Sequence, residues 1–147
     1  MGYNVRIMES DCTLPKKNVE KAFKIMCALN DRNDLKTGGS YPKLTDAPAI
    51  GPRKDMWFAW MEWDYSITCK AAKEIFEALG FETEAEDNGD LVITYYDSKC
   101  GNEDEFFKAI GKLLKGSIEW VGEDGDRYLW KFGPKGMIEK RGRMVYK

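Results

Sequence analysis

The stretch from Gly116 to Phe132 constrains the fold more than any other part of the chain. Ile118 and Trp120 alternate with Glu119. Across Gly122-Glu123-Asp124-Gly125-Asp126, Tyr128, Trp130 and Phe132 alternate with Leu129 and Lys131. Alternation with a period of two, bounded by Gly and Asp, marks a half-buried strand pair. Asp-Gly tolerates the positive φ of a tight turn, so the segment predicts a β-hairpin with its large aromatics on one face. Such a face must be covered, and the remaining chain has to supply the cover.

The covering elements are legible as helical stripes. Val19, Ala22, Phe23 and Met26 recur at helical spacing behind Pro15, which is tolerated at a helix start. That helix is expected to end near Asn30. A second helix is expected from an N-cap at Ser66, through Ala72, Ile75, Phe76 and Leu79, to Gly80. It would place Cys69 in its first turn, where a thiolate is favoured. A third is expected to start at an Asn102/Glu105 capping box and to bury Phe106, Phe107, Ile110, Leu113 and Leu114 before Gly116. Further strands are predicted at Tyr3–Met8, at Phe81–Glu86 and at Leu91–Tyr96, the last two joined by an Asn88-Gly89 turn. Gly133-Pro134-Lys135-Gly136 is a turn, with one or two short strands over Met137–Tyr146. Met56–Tyr65 is the most aromatic window and reads as an interior strand, with Trp57, Ala59, Met61 and Trp63 on one face and Phe58 and Trp60 on the other. Its tryptophans suit core packing better than a binding platform, given the area they bury.

With 147 residues and 43% hydrophobic content, one domain is expected over residues 1–147. Residues 31–55 have no period and contain Gly38-Gly39, Pro42, Pro48 and Pro52, so a long irregular loop is expected there. At an offset of 88, Glu9-Ser10-Asp11-Cys12 aligns with Asp97-Ser98-Lys99-Cys100, and Val19, Ala22 and Met26 align with Phe107, Ile110 and Leu114. Two strand–loop–helix units on one sheet predict an α+β fold: an antiparallel or mixed sheet, three helices and a ferredoxin-like tendency.

The absence of histidine removes Ser-His and Cys-His nucleophile pairs and imidazole metal sites. Cys12, Cys27, Cys69 and Cys100 form no close pair, so neither a zinc site nor a disulfide framework is expected. Glu123, Asp124 and Asp126 crowd one turn, but Arg127 and Tyr128 follow where a calcium loop needs further oxygen ligands. No phosphate loop or dinucleotide fingerprint occurs. Metal, cofactor and catalytic residue are accordingly all expected to be none. The N-terminal strand is interrupted by Asn4 and Arg6, so neither a signal peptide nor a spanning helix is expected, and a cytoplasmic location follows by default.

Charge is segregated although the net is only −2. Residues 1–61 carry +3, residues 62–105 carry −10 and residues 106–147 carry +5. Glu82, Glu84 and Glu86 fall on one side of a predicted strand, with Asp87 at the turn beside them. This face, with Glu123, Asp124, Asp126, Trp57 and Trp60, forms the candidate binding set. Solvated surface is the plain alternative for the carboxylates. The basic C-terminal group at Lys140, Arg141, Arg143 and Lys147 has no aromatic neighbours in an RNA-binding pattern, so direct nucleic-acid binding is not expected.

The combination of Trp57-Phe58-Ala59-Trp60, Asn88-Gly89-Asp90, Gly101-Asn102-Glu103, Gly116-Ser117-Ile118 and Gly122-Glu123-Asp124-Gly125 with Trp130 resembles a family of small proteins of bacterial and phage genomes without an established activity. The resemblance would span nearly the whole chain. It implies an accessory or host-interaction role and carries over no catalytic residue. The expected function is a non-enzymatic protein-binding module, a phage or mobile-element factor that inhibits a host protein through its acidic face. A basic, nucleic-acid-binding protein is the expected partner. The alternative is a small-ligand or nucleotide binder, or a carboxylate-based enzyme, with a tryptophan-lined pocket near Trp60 and Glu123. A pocket that joins tryptophans to convergent carboxylates would favour the alternative, and a flat acidic face without one would favour protein binding.

Overall fold

Strand-period and helix-period segments of the sequence become antiparallel strands and short helices. The computed structural model describes residues 3–36, 57, 61, 64–101 and 103–142. The first part of the chain runs β1 (Asn4–Ser10), β2 (Thr13–Leu14), α1 (Lys16–Ala28), α2 (Tyr65–Thr68) and α3 (Ala72–Leu79). There follow β3 (Glu82–Ala85), β4 (Leu91–Tyr95), β5 (Asp97–Lys99), α4 (Glu103–Ala109), β6 (Gly116–Gly122), β7 (Arg127–Gly133) and β8 (Gly136–Gly142). Three 3-10 turns lie at Leu29–Asp31, Asn33–Leu35 and Gly111–Leu113.

The strands form a five-stranded sheet, β5-β1-β6-β7-β8, and a three-stranded sheet, β2-β4-β3, antiparallel throughout. The two are joined at a bend. β1 shifts register between Ile7 and Glu9. Beside that bulge the Ile7 N–H donates to the Tyr96 carbonyl and the Ile93 N–H donates to the Cys12 carbonyl, each at 2.9 Å. Thr13 bridges to Lys115 just before β6. An extra residue in one strand sharpens the local twist, which lets the sheet wrap its core.

The expected hairpin is present as β6–β7, with Ile118 opposite Trp130 and Trp120 opposite Tyr128. Trp120 is 1% exposed and Trp130 4%. α4 covers this face through Phe107, whose ring centre lies 5.3 Å from that of Trp130 and 5.1 Å from that of Phe81. Phe76 of α3 joins the same cluster at 5.7 Å from Phe107. The opposite face of the sheet carries exposed Arg6, Arg127, Lys131 and Lys140.

Four α-helices occur among the described residues, where three were expected. The second expected helix is broken in two. Asp64, not Ser66, stands at the start of α2, and Ser66 Oγ instead accepts a hydrogen bond from Asn30 Nδ2 at 2.9 Å. Cys69 is the extended residue that ends α2, with φ −78° and ψ 137°, rather than a first-turn residue. The break is tertiary in origin. Tyr65 is fully buried and its hydroxyl donates to the Met26 carbonyl at 2.7 Å, which fixes α2 against α1 in its own direction. α4 is also shorter than expected. It ends at Ala109 and passes into the 3-10 turn at Gly111. α1 ends at Ala28, two residues before the expected Asn30, and continues as a 3-10 turn. In the aromatic window Trp57 and Met61 are buried at 1% and 2% exposure, and neither lies in a strand. Trp57 packs its edge on Phe106 with ring centres 4.8 Å apart. Trp60, most of the expected 31–55 loop, Asn102, Arg143 and Lys147 lie outside the described residues.

Candidate functional site

The acidic residues singled out in the sequence separate into two places. Glu82, Glu84, Glu86 and Asp87 are exposed on the β3–β4 hairpin. Among the described residues β3 pairs on one side only, with β4, and its register shifts between Glu82 and Thr83. Glu123, Asp124 and Asp126 lie on the β6–β7 turn at the far end of the other sheet, and their roles there are local. Glu123 Oε1 accepts the Asn4 N–H at 2.9 Å. Asp124 Oδ1 accepts the Asp126 N–H at 3.1 Å and the Tyr3 hydroxyl. The Tyr3 ring reaches Asp124 by lying over Gly122, where any β-carbon would collide with it. The Tyr3 hydrogen bond holds the Asp124 carboxyl below the usual carboxylate range, and it pushes the Tyr3 phenol up to about 12. Among the described residues, no group of three or more Asp, Glu or Cys side chains could hold a metal ion.

Aromatic rings and carboxylates do converge, at a place that sequence reading did not select. A cleft of about 430 Å³ opens between the inner face of β6–β8 and the start of α4, with Tyr3 and Val5 also in its lining. Trp120, Tyr128 and Trp130 line it together with Glu103, Glu139 and Arg141. Neither Glu123 nor Trp57 is among its lining residues.

Glu103 is the chemically unusual wall. It is 3% exposed, and a carboxylate so far from water has to be compensated. Its Oε2 accepts the Gly101 N–H at 2.7 Å, a helix-start role that the capping-box reading had given to Glu105. Its Oε1 lies 2.7 Å from Tyr96 Oη, which in turn is 2.5 Å from the Lys99 carbonyl. A phenol has one proton, and a carbonyl can only accept. The Tyr96 hydroxyl therefore shares its one proton between Glu103 Oε1 and the Lys99 carbonyl. Burial raises the Glu103 pKa against the opposing pull of the Tyr96 and Gly101 hydrogen bonds. The neighbouring Cys100 thiol is exposed, yet partial desolvation and the acidic side chains beside it push it up to about 11.

The opposite wall follows from hairpin register. The turn at Gly133–Gly136 puts Glu139 opposite Trp130 and Arg141 opposite Tyr128. Trp130 Nε1 donates to Glu139 Oε1 at 3.0 Å. Arg141 Nε lies 3.5 Å from Glu139 Oε2, and the guanidinium carbon sits 5.0 Å from the centre of the Tyr128 ring. At the base, Trp120 and Tyr128 are nearly parallel with centres 6.1 Å apart. Sequence reading missed Glu103, Glu139 and Arg141. The last two were accessible from the turn, because pairing outward from Gly133-Pro134-Lys135-Gly136 places both beside buried aromatics.

Scans against family models, curated proteins and solved structures return no match for this chain. Among the described residues, no helix is long and apolar enough to cross a membrane.

Proposed function

We infer that the protein is a binding module without a catalytic role, and that its site is the cleft between α4 and β6–β8. The reading rests on one observation. Glu103 is held 3% exposed at the wall of a cleft that also collects Trp120, Tyr128 and Trp130. A desolvated acid in an aromatic recess is a costly feature that a ligand site would explain. The volume suits a small molecule or one side chain of a partner. The high-lying Cys100 thiol and the lack of histidine favour binding over covalent chemistry. A fragment screen followed by the indole N–H resonances of Trp120 and Trp130 tests the reading. Hits should shift these two resonances saturably, and a screen in which no fragment moves either one would sink it.

The exposed β3 edge supports a second reading, the docking of a basic protein partner by Glu82, Glu84 and Glu86. An accessory role in a phage or mobile element and a cytoplasmic location belong with it. A bulged, carboxylate-bearing edge strand is equally what discourages unwanted pairing. The two are separated by replacing all three glutamates with glutamine and measuring salt-dependent partner capture. Unchanged capture at low salt would remove the edge from consideration. Taking β1–β2 and β4–β5 as two bent strands, the order β3, β4–β5, β1–β2, β6 with helices between is the ferredoxin-like arrangement. That topology is part of the proposal, with β7 and β8 added beyond β6 to build the cleft.

A further inference from the structure

We propose that the ligand of the cleft is an organic cation, a guanidinium or alkylammonium group, and that Arg141 occupies its seat in the unliganded protein. The proposal rests on the cleft being the binding site. The lining decides the charge of the ligand. Four aromatic side chains, Tyr3, Trp120, Tyr128 and Trp130, share the cleft with Glu103, Asp104 and Glu139. Ring faces attract cations, and the acidic side chains of the wall disfavour an anion. Of these, Asp104 is already paired with Lys108 at 2.9 Å, and Glu103 is turned to Tyr96 and Gly101. Glu139 remains as the acceptor. Trp130 Nε1 fixes one of its oxygens at 3.0 Å and leaves the other directed to a cation.

The chain itself shows that a cation is accepted there. The Arg141 guanidinium lies 5.0 Å from the Tyr128 ring centre and 3.5 Å from Glu139, within the range of a cation–π contact completed by a carboxylate. This side chain is 69% exposed and stands next to the last residue of β8. A contact so open to water is weak, and a better-seated cation can displace it. Arg141 thus acts as an intramolecular competitor at the mouth of the cleft.

The same chemistry could come from a free amine or from an arginine side chain of a partner, and the test includes both. Butylguanidinium, its neutral counterpart butylurea, and the peptide acetyl-Gly-Arg-Gly-amide are titrated into the full chain and into Arg141→Met. The readout is the Trp130 indole N–H resonance. Butylguanidinium should bind about tenfold more tightly than butylurea, the scale of a partly desolvated cation–π and carboxylate contact. Arg141→Met should tighten cation binding several-fold, because the competitor is gone. Tighter binding of the peptide than of butylguanidinium assigns the cation to a protein partner, and the reverse assigns it to a small amine. Butylurea binding as tightly as butylguanidinium would overturn the cation assignment and leave the cleft as a neutral-ligand site. Unchanged affinity in Arg141→Met would overturn the role given to Arg141. If none of the three probes moves the resonance in either protein, while fragments of the screen do, the cation assignment falls alone. If the fragments fail as well, the cleft falls with it.

Discussion

Replacing Gly111 by alanine sets two effects of known size against each other. Gly→Ala at an ordinary backbone position stabilises by about 0.4–1 kcal/mol, mainly by restricting the unfolded chain. Gly111 is such a position by backbone angle, since it is not among the glycines with positive φ. Its surroundings oppose the change. A β-carbon there would lie 2.6 Å from the Met137 nitrogen, 3.0 Å from the Gly136 carbonyl carbon and 3.2 Å from the Gly136 Cα. These are backbone atoms of β8, so no side-chain rotation relieves the contact. Overpacking of this kind costs about 1–3 kcal/mol. At mid-range values the clash wins, with a net loss of about 1–2 kcal/mol. At about 2–4 °C per kcal/mol for a chain of this size, Tm falls by about 2–8 °C. Gly133→Ala is the control, because nothing lies within 4 Å of its β-carbon position. It should melt at or slightly above wild type. Thermal unfolding by circular dichroism reads both variants. A Gly111→Ala protein that melts at or above wild type would refute the close approach of the Gly111–Leu113 turn to β8.

Trp130→Ala removes a ring that is 4% exposed and lies 4.9 Å from Trp120 and 5.3 Å from Phe107, centre to centre. It should cost about 3–5 kcal/mol in urea unfolding, and wild-type-like stability would reject the core assignment. Glu103→Gln tests the raised pKa of the buried acid. Because burial raises the folded pKa above the ordinary value of 4.5, the folded state holds its proton where the unfolded state has lost it. The stability tied to Glu103 is therefore complete below 4.5 and is lost as pH rises through the folded pKa. Glu103→Gln should flatten that part of the stability–pH curve, and an unchanged slope would mean that folding does not raise the Glu103 pKa.

Local sequence signals determined the elements whose causes are local. Alternation and an Asp-Gly turn were enough to predict the hairpin and to bury both tryptophans on its apolar face, because a strand's two faces are fixed by its own period. The Asn88-Gly89 turn, with Gly89 at φ +92°, and the apolar stripe of α1 were legible for the same reason. Composition also set the chemistry available, since the chain contains no histidine. Three features depended on contacts between distant segments. The helix expected from Ser66 to Gly80 breaks at Cys69 because Tyr65 is tied to Met26, 39 positions away. No sequence signal marks Gly111 as lying against another strand, and only the passage of β8 crowds it. The cleft is the clearest case. Glu103 reads as one of three consecutive acids at a helix start, and its burial comes from Tyr96 and the enclosing sheet. A carboxylate's burial and proton occupancy are set by what surrounds it in space, so tertiary packing alone picked out Glu103 from the acids that stay in water.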